Sequence, residues 1–191
     1  VRFIGFIGYL LREKYTHPSI LFLQSHSAGA VAVWNMLNKA PHLFKAVVMN
    51  YPFLDVLNTL LDPNDPLSAS DMHSLVILSL INQHSEPFND SPYENIQNKP
   101  YPFVYIIGGK NDYRCPVSQL AKFVKRFRTK ALQNNRFSEK IAHKGILLKV
   151  YDEASHLGTS NVSDENFNNC EIYGFLDYLD IKEATIVNTE K

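Results

Sequence analysis

Cysteine is scarce: Cys115 and Cys170 are the two in 191 residues, and their spacing frames neither a metal site nor a disulfide scaffold. Both read as free thiols, which fits a reducing compartment and gives the cytoplasm as the expected location. An excess of either charge is also missing, since 19 Lys and Arg balance 19 Asp and Glu. No global field steers the chain towards nucleic acid or an anionic membrane surface, so neither is expected as a partner. No run approaches the roughly 18 apolar residues of a membrane span, and the residues after Val1 do not form a charged, apolar, small-residue leader. Internal repeats and low-complexity tracts are absent as well. What remains is 45% hydrophobic and 12% aromatic, a composition that argues for one packed domain with a sizeable core.

The chain is organised around Ser25-His26-Ser27-Ala28-Gly29. These residues close the apolar run Pro18 to Gln24 and open the Ala-rich stretch Ala30 to Leu37, whose apolar positions fall at helical spacing. The pattern reads as buried strand, sharp turn and helix. A serine at the tip of such a turn is a nucleophile elbow, and the turn crowds its neighbours so closely that only small residues fit two positions either side. Gly29 meets that demand, whereas Ser25 stands where the usual G-x-S-x-G pattern has its first glycine.

Strand and helix signals alternate along the rest. Phe3, Phe6, Ile7, Leu10 and Leu11 form an amphipathic stripe that Thr16-His17-Pro18 ends. After the elbow helix, Pro41-His42 leads into the branched run Phe44 to Asn50, stopped by Pro52. Residues Phe53 to Leu67 mix a helical turn with the turn-forming Asp62-Pro63-Asn64-Asp65-Pro66, and Ser70-Asp71 caps an expected helix through Leu80. A third strand, Phe103 to Ile107, is bounded by Pro102 and Gly108-Gly109, and a helix from Pro116 carries Val117, Leu120, Ala121, Val124 and Phe127. Within it, Lys125 to Lys130 is a basic cluster expected to be a solvated face. Ile146 to Tyr151 is the last strand, and Ile172, Phe175, Leu176 and Leu179 share one face of the last helix. Four strands with intervening helices give an α/β fold with a parallel sheet.

In such sheets functional groups gather beyond the carboxyl ends of the strands. The loop after the third strand offers Asp112, and the loop after the fourth offers His156. Of seven histidines only His156 has that address; His17 and His42 sit in turns at the opposite ends of strands, and His73, His84 and His143 follow no strand end. His26 adjoins the serine but is expected to point along the elbow helix. Asp152 is an alternative acid, although it shares the histidine's own loop, so Asp112 is preferred. The order Ser27, Asp112, His156 resembles that of the α/β-hydrolases. In that arrangement His156 takes the proton of Ser27 and Asp112 fixes the imidazole tautomer.

Several runs carry a closer resemblance. Ser27-Ala28-Gly29, Pro41 to Val48, Pro52-Phe53-Leu54-Asp55-Val56-Leu57-Asn58-Thr59, Ser91 to Ile96 and Asn111-Asp112-Tyr113-Arg114-Cys115-Pro116 together resemble the catalytic domain of the prolyl oligopeptidase family, oligopeptidase B and the prolyl endopeptidase-like proteins included. The resemblance spans almost the whole chain, and the run Phe53 to Thr59 leans towards the prolyl endopeptidase-like branch. It implies an α/β-hydrolase fold, the triad Ser27, Asp112 and His156, an oxyanion donor in the Ala28 amide, and a substrate-binding Arg114. It also implies a β-propeller and earlier strands upstream of Val1, with a tyrosine that completes the oxyanion hole, so that residues 1–191 are the C-terminal part of a catalytic domain.

Departures from the family pattern shape the functional expectation. Ser25 replaces a glycine that peptidase members keep and prolyl endopeptidase-like members relax. The single tryptophan, Trp34, lies on the elbow helix rather than where a prolyl-specific member stacks substrate, and between Ser68 and Leu80 only Asp71 is acidic. Neither specificity pocket is written here. The expectation is a serine oligopeptidase that hydrolyses short peptides without metal or cofactor. The alternatives are an esterase or thioesterase with the same triad and an interaction protein in which the triad is vestigial.

Overall fold

Among the described residues four parallel strands form one sheet, in the spatial order Phe22–His26, Ala46–Asn50, Phe103–Gly109 and Ile146–Tyr151. The computed structural model describes residues 2–62, 91–133 and 145–159, together with residues 166–179 except 167. The expected helix from Ser70 to Leu80 lies outside the described residues, as do most of the turn residues before it and His73, His84 and His143. Two compact units divide the chain, Val1–His156 and Leu157–Lys191. In the second, the described helix over 168–179 buries Ile172 and Leu179, two members of the expected stripe.

The first unit begins with α1 (Arg2–Arg12). Its stripe is only partly seated: Ile7 is buried and Leu11 packs beside it, while Phe3 and Phe6 are exposed. The strand expected from Pro18 starts later, because Pro18–Ile20 forms one 3-10 turn, with the ring of Pro18 presetting φ and the His17 side chain accepting from the Ser19 N–H. The strand β1 (Phe22–His26) therefore takes in Ser25 and His26, which the sequence pattern assigns to the turn. Only one of its edges is paired among the described residues, with β2 (Ala46–Asn50), so β1 is half-exposed where a buried strand is expected.

Between them runs α2 (Gly29–Lys39), and α3 (Val56–Leu61) follows β2. The central strands β2 and β3 (Phe103–Gly109) are flanked on both sides and almost wholly buried, as continuous apolar runs in a parallel sheet require. Gly108 and Gly109, read from sequence as a stop, lie inside β3. A Cβ on Gly109 would come within 2.2 Å of the Ala154 carbonyl oxygen, and one on Gly108 within 2.4 Å of Leu120 Cδ1. These glycines answer to close approach rather than to a turn.

The helix α4 (Val117–Gln133) returns the chain to β4 (Ile146–Tyr151). It buries Leu120, Phe123, Val124 and Phe127 against the same core as Trp34 and Leu37 of α2. Trp34 is fully enclosed, stacked on Tyr101 at 4.8 Å and edge-on to Phe123 at 4.9 Å. Burying one such ring stabilises the fold by about 1.5–3 kcal/mol. Burial of Tyr101 itself pushes the pKa of its hydroxyl up to about 12. The basic cluster departs from the expected solvated face: the Arg126 guanidinium lies 4.5 Å from the Tyr93 ring centroid, Arg128 donates to the Ile146 carbonyl at 3.2 Å, and Lys130 donates to that of Ile96. These long side chains lie along neighbouring elements and use their charged heads as donors there.

Candidate active site

The parallel register brings four strand ends to one edge. His26 aligns with Asn50, Asn50 with Ile107, and Gly109 with Tyr151. The residues that leave those ends are Ser27, Tyr51, the loop with Asp112, and the loop with His156.

Ser27 has φ 52°, in the left-handed region, where a serine is strained by about 1–3 kcal/mol. The surroundings hold it there: its N–H donates to the Asn50 carbonyl at 3.0 Å, and its own carbonyl accepts from Phe53 at 3.0 Å and Ala30 at 3.1 Å. Ser25 Cβ lies 3.6 Å from where a side chain on Gly29 would begin. The Ser25 hydroxyl is buried without a hydrogen-bond partner.

Three side chains then meet. Ser27 Oγ lies 2.8 Å from His156 Nε2, and His156 Nδ1 lies 2.9 Å from Asp112 Oδ2. The other carboxylate oxygen of Asp112 accepts the backbone N–H groups of Arg114 and Cys115, both at 2.9 Å. Asp112 and His156 are buried, at 2% and 7% exposure, so this pair works in a low-dielectric setting. The β4 loop is pinned to the β3 loop by Asn111 N–H donating to Ala154 O at 3.0 Å and Lys110 N–H to Tyr151 O at 2.9 Å. Asp152, the alternative acid, instead forms an exposed ion pair with Lys110 at 2.7 Å. That bond raises the Lys110 pKa.

Ala28 occupies the first position of the turn after Ser27 with its backbone at φ −60°, ψ −20°, at the exposed amino end of α2. Arg114 is exposed and leaves its side chain free of the carboxylate, which its backbone alone contacts. Cys115 Sγ, an Asp112 carboxylate oxygen and a His156 ring nitrogen lie within 4.8 Å of one another, the one such donor group among the described residues. Two of the three already bond each other.

His26 departs from the expectation that it points along α2. As the last residue of β1 rather than the first of the turn, it directs Nε2 to the His156 carbonyl oxygen at 3.0 Å. Tyr51, which sequence reasoning passed over, lies beside it: buried, at φ 47°, its N–H donating to Ile107 O at 2.7 Å. Burial, and then the Asp112 charge, raise its phenol pKa. A bulky non-glycine residue in the left-handed region at a strand end was the available signal, and it shows only in the backbone.

A sequence model of the prolyl oligopeptidase family matches residues 3–179. The chain belongs to the prolyl oligopeptidase family. Among family relatives it is 31% identical over 188 residues to "Protease 2" of Moraxella lacunata, covering 97% of this chain and 26% of that one. It is 34% identical over 155 residues to a "Prolyl endopeptidase-like" protein of Xenopus laevis, covering 78% of this chain and 22% of that one. The structure of oligopeptidase B from Leishmania major superposes with a TM-score of 0.64 at 26% identity, over 95% of this chain and 23% of that one. The chain thus spans about a quarter of the family relatives it matches, and its fold is that of their α/β-hydrolase region.

Proposed function

We propose that this chain is the catalytic part of a serine peptidase that cleaves short peptides through an acyl-enzyme. The observation that carries the reading is the continuous hydrogen-bonded line from Ser27 Oγ through His156 to Asp112, set on a strained elbow. Ser27 Oγ attacks the scissile carbonyl carbon while His156 Nε2 takes its proton. Asp112 holds Nδ1–H and stabilises the imidazolium. The proton passes to the leaving amine; a water deprotonated by His156 then attacks the acyl ester, releasing the acid and restoring Ser27. The Ala28 N–H supplies one oxyanion donor, and Arg114 holds the substrate backbone. An upstream tyrosine of the same polypeptide would complete the oxyanion hole, with a β-propeller preceding it. No metal or cofactor has a step in this route, and cytoplasmic placement rests on Cys115 and Cys170 forming no disulfide.

A (thio)esterase reading is favoured by Ser25 in the glycine position and by the 34% identity to the prolyl endopeptidase-like protein. Turnover of a set of short peptides against acyl thioesters by the full-length protein separates the two. The peptidase reading predicts peptide hydrolysis that Ser27→Ala abolishes. Thioester turnover with no peptide cleavage would replace it with the second reading, and absence of both would leave an interaction protein.

A further inference from the structure

Two bonds hold the His156 ring, to Asp112 and to Ser27, and the second is lost whenever Ser27 is acylated. The main chain that presents the ring is pinned to the β3 loop at Tyr151 and Ala154. At His156 itself the anchor comes from the other side of the nucleophile. His26 Nε2 lies 3.0 Å from the His156 carbonyl oxygen, and since a carbonyl only accepts, Nε2 carries the hydrogen. The bond ties the end of β1, one residue before Ser27, to the loop after β4.

The same imidazole packs against the ring that it positions. The His26 and His156 centroids are 5.2 Å apart at 60°, and Tyr51 closes the group at 5.8 Å from His26 and 6.5 Å from His156. Three rings from the ends of β1, β2 and β4 thus meet beside the Ser27 oxygen. Tyr51 is held in place by its left-handed backbone and its bond to Ile107.

We propose that His26 is a positioning residue for the reaction: its Nε2–H fixes the His156 main chain, and its ring, backed by Tyr51, fixes the imidazole plane, so that Nε2 of His156 stays aligned with Ser27 and with the incoming water through the acyl-enzyme stage. This rests on the serine hydrolase reading above. Because the contact is to a backbone oxygen, any side chain with a donor at that reach replaces part of it. A ring without a donor does not.

The test uses His26→Phe, which keeps a ring and removes the donor, and His26→Gln, whose amide nitrogen reaches about as far as Nε2, both in the full-length protein. A misplacement of about 1 Å costs up to about 10²-fold, so His26→Phe should lower kcat and the rate of fluorophosphonate labelling of Ser27 by about 10–100-fold, with KM and the unfolding midpoint close to wild type. His26→Gln should recover most of the loss. A His26→Phe protein that labels and turns over at the wild-type rate overturns the proposal, because a ring without a donor would then suffice, and so does an equal loss in both variants, because a restored donor would then recover nothing. Wild-type protein that takes no label at Ser27 strikes instead at the hydrolase reading beneath it.

Discussion

Ser27 is held in an unfavourable conformation by three backbone bonds and faces an imidazole whose far side is bound to a buried carboxylate. At this scale Asp112 and Asp152 are clearly distinguished. The first accepts from His156 and from two backbone amides, while the second faces Lys110 in solvent. Asp112→Asn should keep the fold and lower kcat by about 10⁴-fold through the wrong tautomer. Asp152→Asn removes one solvent-screened ion pair and should leave turnover within about twofold of wild type; the reverse ranking would move the acid to the β4 loop. The addresses of Ser27, Asp112 and His156 were legible because each follows a strand end, and strand ends show as breaks in apolar runs. His26 was not, because its direction depends on whether β1 ends at residue 24 or 26: a residue inside the strand takes its face from the two-residue alternation, and one in the turn does not.

Among the elements, β3 departs most from its sequence pattern. Gly108 and Gly109 look like a stop because glycine is the usual punctuation of a strand, yet both extend it to let α4 and the β4 loop approach. Nothing local marks the difference; it lies in residues that arrive some 12 and 45 positions later. Gly109→Ala sets a methyl against the Ala154 carbonyl, which cannot rotate away, and should cost about 1–3 kcal/mol while displacing the loop that carries His156. Gly108→Ala meets the end of the Leu120 side chain, so it should cost less. Urea denaturation and kcat on the two variants check the order, and equal midpoints would contradict it. The partners of the basic cluster were equally hidden, since Tyr93, Ile96 and Ile146 come to α4 only through the fold.

For the whole molecule, the parallel α/β architecture was legible from alternation alone, because central strands buried on both faces read as continuous apolar runs. The state of β1 depends on what pairs with its second edge, and among the described residues nothing does. Whether Ser27 is the activated nucleophile proposed above is decided by treating the full-length protein with a fluorophosphonate and locating the adduct by mass spectrometry. One equivalent per chain is expected on Ser27, lost in Ser27→Ala and slowed in Asp112→Asn. An adduct on Ser25, or labelling that persists in Ser27→Ala, would contradict it.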